Sequence, residues 1–337
     1  MPMHERWFVD GSRFPIDPAA ALEPGALAAV GVALGGLAVA ALAWRATGRK
    51  PLVPGPLALG TSERGLAILY GIVPLVLASH LAVTLFVSGV RIELFAPNLT
   101  LASGSAVAIQ SLGGAAVALA QIGIGLALFY GFFTRAAAIG LILLWLAGCV
   151  VFGPVLLLEH AIVPGIAGAL AITGRGPFAV DALLDWRWNR PWSHLLPRAA
   201  QVLRVGAGVS LVTLALTEKL WNIPLGLEFL EHYPANFLPA LGLPVSDAAF
   251  LHLAGTVELL AGLLLLCNVY VRLGILVLWL PFNVSLAAFG WRELVGHLPI
   301  YGTMAVLALW GNGGDADLLA IGRGLRQRPA LLDETVT

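Results

Sequence analysis

The sequence predicts an all-α integral membrane protein of about nine transmembrane helices, arranged as one extra amino-terminal helix followed by two tandem four-helix bundles. The first observation behind this prediction is composition: 59% of the 337 residues are apolar and only 11% are charged. Soluble domains carry about 25% charged residues, so this chain cannot cover a water-facing surface of its own size. The second observation is an internal repeat, in which the second half of the chain matches the first at an offset of 137 residues.

The apolar runs define the individual elements, because a helix needs about 20 apolar residues to cross a bilayer. They predict nine spans, near residues 26–44, 66–88, 106–133, 136–153, 157–173, 201–218, 253–271, 273–290 and 295–310. Glu159, His160 and Pro164 crowd the start of the fifth span, so a re-entrant turn is the alternative there. Gly31 and Gly35 in the first span form a GxxxG pair, which favours close helix packing within the chain. A partner subunit and chance spacing are the alternatives for this pair.

The distribution of basic residues predicts the orientation, because Lys and Arg stay on the cytoplasmic side. With the amino terminus outside, 14 of the 19 basic residues lie on the inner side. The five on the outer side are Arg6, Arg13, Arg91, Lys219 and Arg292. We therefore expect a multi-pass protein of the cytoplasmic membrane, with its amino terminus outside and its carboxyl terminus in the cytoplasm.

The repeat predicts the domain organisation. At the 137-residue offset the matching positions include Arg135 and Arg272, His160 and His297, Gly125 and Gly262, and Gly165 and Gly302. We expect an outer segment, first helix and loop over 1–65, a degenerate four-helix repeat over 66–174, a cytoplasmic linker over 175–200, a second repeat over 201–311 and a cytoplasmic tail over 312–337. Both repeats have an even number of spans, so they share one orientation in the membrane.

The two repeats differ in their polar residues. Four polar residues of the second repeat, Glu218, Lys219, Asn222 and Tyr301, correspond to Leu81, Ala82, Leu85 and Pro164 in the first. Glu258 corresponds to Gln121. We therefore expect any chemistry to lie in the second repeat.

Glu258 is the most informative residue, because it lies inside an apolar span. An acid at the centre of such a helix costs roughly 2.5–3.5 kcal/mol to insert and usually faces the bundle interior or a partner. Gly255 and Gly262 flank it at helical spacing and leave room for another backbone or for a ligand. The alternative is a structural carboxyl, protonated or hydrogen-bonded to a neighbouring helix.

Other polar residues are predicted near the same outer interface. Glu218, Lys219, Trp221 and Asn222 end the sixth span, and His297 and Tyr301 share a helical face at the start of the last. We expect Pro299 in the first turn of that last helix, where proline is tolerated. A snorkelling lysine, an interfacial tryptophan and a helix-capping histidine are the structural alternatives.

Several classes of function are excluded or unsupported. Equal numbers of acidic and basic residues leave no basic surface for nucleic acid. Cys149 and Cys267 lie in apolar runs and indicate neither a metal site nor a disulfide. Nucleotide-binding, esterase and metalloprotease motifs are absent from the sequence, and the absence of CxxCH excludes covalently attached haem. A b-type haem held by two of His80, His160, His252 and His297 is an alternative cofactor.

Three segments of the second repeat together resemble the DoxX/DoxD-like family of membrane proteins. They are Thr217-Glu218-Lys219-Leu220, the run from Glu258 to Gly262 followed by Arg272, and Gly296-His297-Leu-Pro-Ile-Tyr301-Gly302. The likeness covers about residues 200–312. It implies a four-helix membrane unit, and some members of that family are small subunits of quinone-linked oxidoreductases.

The leading hypothesis is a membrane subunit that binds a quinone or a similar amphipathic redox molecule near the outer leaflet, with electrons supplied by a protein partner. Exchange of protons at the two ring oxygens requires acids and bases such as these. Glu258 and His297 would exchange protons, Tyr301 would donate a hydrogen bond, and Glu218 and Lys219, with Trp221 and Asn222 beside them, would contact the cofactor. The alternatives are a non-catalytic scaffold or assembly subunit and a carrier for a lipid or small solute.

Overall fold

A computed structural model describes residues 4–101, 111–184 and 190–313 of the chain, and every regular element within them is helical. The helices are α1 (Pro24–Ala46), α2 (Glu63–Val90), α3 (Ser111–Tyr130), α4 (Thr134–Phe152), α5 (Pro154–Leu158), α6 (Ile162–Thr173), α7 (Val180–Leu183), α8 (Leu196–Leu214), α9 (Ile223–His232), α10 (Asp247–Leu266), α11 (Val271–Phe289) and α12 (Trp291–Trp310). A π-helical turn (Ala215–Leu220) continues α8, and short 3₁₀ turns lie at Glu5–Trp7, Gly11–Arg13, Pro18–Leu22 and Pro239–Leu241. Parts of the predicted third span, the cytoplasmic linker and the tail lie outside the described residues.

Seven helices in the described part of the chain are long and apolar enough to cross a membrane, which supports a multi-pass membrane protein. They are α1, α2, α3, α4, α8 with its π-helical turn, α10 and α12. The two remaining predicted spans correspond to shorter apolar stretches, Ile162–Thr173 and Val271–Ala287. The predicted total of nine and the orientation in the membrane therefore stay predictions.

Backbone geometry recurs at the 137-residue offset. The residues that precede α4 and α11, Phe133 and Tyr270, both have left-handed backbone conformations, with φ of 49° and 46°. At the starts of these helices, Arg135 Nε donates to the carbonyl of Ala171 at 2.7 Å, and Arg272 Nε donates to that of Ala308 at 2.8 Å. Each arginine thereby satisfies a carbonyl near the end of a neighbouring helix. A duplicated origin of the two units stays a prediction that these equivalent contacts support.

The last helix of the first predicted repeat is interrupted, whereas its counterpart in the second, α12, is continuous. α5 ends at Leu158, and α6 begins at Ile162. Pro164 has no N–H to donate to the carbonyl of His160, which instead accepts from Val163 at 3.0 Å. Glu159 and His160 lie in this interruption, and both are buried in the protein interior.

In the second unit, α12 is continuous from Trp291 to Trp310. Pro299 therefore lies inside the helix, and its predicted position in the first turn was wrong. Pro299 has no N–H to donate to the carbonyl of Val295. That carbonyl instead accepts a hydrogen bond from the hydroxyl of Thr84 in α2 at 2.7 Å. This hydrogen bond links α12 to α2, a helix of the other predicted repeat.

Glycines bring helices of the two units together. A methyl group added to Gly165 in α6 would lie 2.9 Å from the Cα atom of Gly206 in α8, so the two backbones nearly touch. The GxxxG pair of α1 serves no such purpose within the described chain, because Gly31 and Gly35 both face open space. α1 instead packs against α10, where Gly36 approaches Leu260.

Candidate functional site

The amino-terminal residues His4–Trp7 lie in the interior of the protein. Glu5 is fully buried, and His4, Arg6 and Trp7 are each less than a tenth exposed. They form a short turn, whereas Asp10 and the segment that follows it are largely exposed. We call His4–Trp7 the inserted segment.

The inserted segment completes a cluster of six buried charged side chains. Its members come from the inserted segment, the α5–α6 break, the π-helical turn and α10; they are Glu5, Arg6, Glu159, Glu218, Lys219 and Glu258. We call this set the charge cluster. Four of the six are acids and only two are bases.

Arg6 holds together acids from both units. Its guanidinium pairs with the carboxylate of Glu159 and lies 3.5 Å from that of Glu218. It also donates to the carbonyl of Thr217 at 3.1 Å. The Thr217 hydroxyl donates to Glu159 at 2.7 Å, so this carboxylate has two donors.

Lys219 organises the other half of the charge cluster. Its Nζ atom lies 3.1 Å from the Glu258 carboxylate and 3.9 Å from that of Glu5. The Glu5 N–H donates to Glu218 at 2.5 Å, which connects the two halves.

The π-helical turn explains how adjacent residues Glu218 and Lys219 both face inward. A π-helical turn inserts an extra residue into the helical repeat and alters the direction of the side chains, and such turns are frequent at functional sites. Its closing bond runs from the Trp221 N–H to the Leu216 carbonyl, five residues back, at 2.8 Å.

A row of three imidazoles lies beside the charge cluster. The His4 ring centroid is 5.4 Å from that of His160 and 5.8 Å from that of His297, two positions that match at the repeat offset. The Trp7 ring stacks on His4 at 3.9 Å and lies against Gly296, where a side chain would overlap the indole. The Glu293 carboxylate lies 3.2 Å from His297 Nδ1.

The charge cluster contains more acid than its bases can neutralise. If all four carboxyls were ionised, two negative charges would remain in a buried site, and buried carboxyls without a compensating charge take up protons. For Glu5, burial raises the pKa to about 7, with a further increase from Glu258, while Lys219 and Arg6 oppose the shift. The Glu5 carboxyl can therefore gain or lose a proton near neutral pH.

Burial lowers the pKa of His4 well below its ordinary value, and the neighbouring imidazoles lower it further. His4 is consequently neutral, with one ring nitrogen available as an acceptor. A cavity of about 20 Å³, lined by His4, Glu159 and His160 among others, has room for about one water molecule between these groups.

The predicted site residues separate into three groups. Glu218, Lys219 and Glu258 lie together in the charge cluster, and His297 lies in the adjacent imidazole row. Asn222 holds the chain that follows the inserted segment, because its amide donates to the Phe14 carbonyl at 3.0 Å.

The remaining two predicted residues contact other parts of the protein. The Tyr301 hydroxyl donates to the Phe282 carbonyl in α11 at 2.8 Å. Trp221 packs with apolar residues of α1, α8 and α10. The glycines beside Glu258 make room for a neighbouring helix, since a methyl group on Gly255 would meet Leu220 and one on Gly262 would meet Val212.

Sequence reasoning missed six participants: His4, Glu5, Arg6, Trp7, Glu159 and Glu293. Glu159 and Glu293 are acids at the edges of apolar runs, a pattern that could have identified them. The inserted segment gives no such pattern, because a short polar stretch ordinarily lies in water.

The histidines considered for haem lie in different surroundings. His80 and His252 each bond to a carbonyl of their own helix, at 2.8 and 2.9 Å. His160 and His297 each lie within 6 Å of the His4 ring, at 5.4 and 5.8 Å between ring centroids. Within the described residues, no group of three or more His, Cys, Asp or Glu side chains is arranged to hold a metal ion.

Comparisons with known proteins leave the family open. No protein-family model matches the chain, and neither a curated protein nor a solved structure matches it. The likeness of residues 200–312 to DoxX/DoxD-like proteins stays a prediction.

Proposed function

We propose that the protein is a membrane subunit of a quinone-linked redox system, in which the charge cluster and the imidazole row exchange protons with a quinone or a similar amphipathic molecule. One observation carries this proposal: four buried glutamates share two cations beside three buried imidazoles. This arrangement suits repeated uptake and release of protons.

The proton requirement of quinone chemistry matches the excess of acid. Reduction of a quinone to a quinol consumes two electrons and two protons, and the charge cluster has two more carboxyls than cations. Electrons would come from a redox partner on the outer side, and the protons would pass from this protein.

Individual residues have distinct roles in the proposal. Glu258 holds a proton or a negative charge according to its pairing with Lys219, and His297 exchanges a proton through its imidazole. Glu293 would act as a positioning residue, because its carboxylate lies 3.2 Å from the His297 ring. The Tyr301 hydroxyl already donates to Phe282 and has no direct part in this scheme.

The proposal is tested by quinone binding in lipid nanodiscs, with decylubiquinone as the probe and titration calorimetry as the measurement. We expect Glu258→Gln combined with His297→Ala to weaken binding by about tenfold or more, as loss of hydrogen bonds worth about 1.4 kcal/mol requires. Glu231→Gln is the matched control, because this glutamate is exposed. Unchanged affinity in the double variant contradicts the assignment.

A second candidate function, a non-catalytic assembly subunit, is favoured by the open face of α1. Gly31 and Gly35 have nothing packed over them within the described chain, so another transmembrane helix can approach closely there. In that case Gly31→Leu would release a co-purifying partner, and the Glu258 and His297 substitutions would leave the complex and its activity intact.

A further inference from the structure

The inserted segment occupies the centre of the site, and its own polar groups are poorly satisfied there. Four buried atoms, His4 Nδ1, both carboxylate oxygens of Glu5 and Trp7 Nε1, have no hydrogen-bond partner among the described residues. Each such atom costs free energy relative to its state in water. The imidazoles of His160 and His297 that face the segment also have unpartnered nitrogens, so the contact between the segment and the helices is polar but largely unpaired.

Arg6 accounts for most of the polar attachment of the inserted segment. It pairs with Glu159, lies near Glu218 and donates to a backbone carbonyl. The Lys219–Glu258 pair at 3.1 Å does not depend on the segment, whereas the Lys219–Glu5 contact is longer, at 3.9 Å. The site therefore keeps its own ion pair when the segment leaves.

The chain immediately after the inserted segment is anchored to the rest of the protein at two places. Phe8 packs in an aromatic cluster, with ring centroids 5.4 Å from Tyr233, 5.9 Å from Phe229 and 5.4 Å from Phe289. Asn222 holds the chain again at Phe14. Residues 4–7 can leave the interior while these two attachments remain in place.

The Trp7 side chain fills a flat slot beside His297. Its flat indole lies against Gly296, 5.2 Å from the His297 ring, in a slot that exists because position 296 has no side chain. A quinone head group is also flat and aromatic-sized, and in this slot its ring oxygens would be near the proton-exchanging groups.

We infer that the slot between Gly296 and His297 is the head-group site for the quinone, and that the inserted segment is an exchangeable plug which leaves when a quinone binds. This inference rests on the proposed function. It adds a location for the ligand and a conformational step that limits access to it. When the segment leaves, Glu159, Glu218 and Glu258 remain with Lys219, so the excess of two carboxyls over cations is kept beside His160 and His297.

The first test is the affinity of decylubiquinone for the full chain in nanodiscs. Trp7→Ala weakens the plug, so the binding-competent fraction rises and the apparent affinity increases by about tenfold. Trp291→Ala is the control, because this tryptophan is 62% exposed and its loss leaves affinity unchanged. Unchanged or weaker binding by Trp7→Ala overturns the plug.

The second test uses the unaltered protein and does not depend on a variant that folds. Hydrogen exchange at residues 4–7 is compared with and without decylubiquinone, and we expect faster exchange when the quinone is bound, because the buried Glu5 N–H loses its bond to Glu218. Binding of quinone with unchanged or slower exchange overturns the plug and leaves the proposed function standing. Failure of quinone to bind either the wild type or Trp7→Ala overturns both.

Discussion

Removal of the Lys219 charge is the most informative perturbation of the charge cluster. In Lys219→Met a side chain of similar length and no charge replaces a fully buried ammonium. Glu258, at 3.1 Å, loses its ion-pair partner, and the two excess carboxyls become three. We expect strong destabilisation, because an uncompensated charge then lies in the interior.

The expected loss in the free energy of unfolding depends on which charge each substitution leaves without a partner. Breaking one partner of a buried pair costs about 3–5 kcal/mol. Glu258→Gln should cost less than Lys219→Met, because Lys219 retains Glu5 as a second carboxylate at 3.9 Å. The double variant Lys219→Met with Glu258→Gln removes both charges and should be more stable than Lys219→Met alone by about 1–3 kcal/mol.

The assay is reversible unfolding in mixed detergent micelles, followed by tryptophan fluorescence, for the wild type, both single variants and the double variant. Lys50→Met is the control, because this lysine is exposed and its loss should change stability by less than about 0.5 kcal/mol. Additive losses in the double variant would show that Lys219 and Glu258 do not interact, and would refute the reasoning.

Two further predictions concern the inserted segment and the interface of the units. Since burial raises the pKa of Glu5 from 4.5 to about 7, docking of the segment is strongest below pH 4.5 and weakens as the pH rises toward 7, by up to roughly 3 kcal/mol. Protection from hydrogen exchange at residues 4–7, measured relative to the intrinsic exchange rate at each pH, should fall across that window, and Glu5→Gln should remove this fall; a persistent fall would assign it to another group. Gly206→Ala should lower the free energy of unfolding by about 1–3 kcal/mol, because its methyl group would lie 2.7 Å from the Cα atom of Gly165, whereas Gly31→Ala, in open space, should not. Equal stability of these two alanine variants would show that the helices do not meet as described.

The helices could be predicted from sequence because apolar runs of bilayer length leave few alternatives. The presence of Glu258 in the interior was predictable for the same reason, since an acid within such a run seeks partners. Lys219 was expected at the outer interface, and its complete burial was not predicted. The boundaries were less accurate where polar residues begin a helix. α12 starts at Trp291, directly after Gly290 with its φ of 66°, and the polar turn that follows lies outside the apolar window used to place the span.

The inserted segment could not be predicted, because its burial depends on contacts between residues far apart in the chain. Arg6 and Glu159 attract each other only after the α5–α6 break places that acid beside the π-helical turn. Tyr301 shows a related difficulty. Four-residue spacing places it near the face of His297, but its hydroxyl extends to α11 and bonds there.

The measurement that tests the central claim most directly is an infrared difference spectrum of the protein in nanodiscs, recorded as bound decylubiquinone is reduced. Transfer of protons from the charge cluster predicts loss of a protonated carboxyl signal on reduction, and Glu258→Gln should diminish or abolish it. Quinone reduction with no change in the carboxyl region, or with the same change in Glu258→Gln, would contradict the assignment of proton exchange to this cluster.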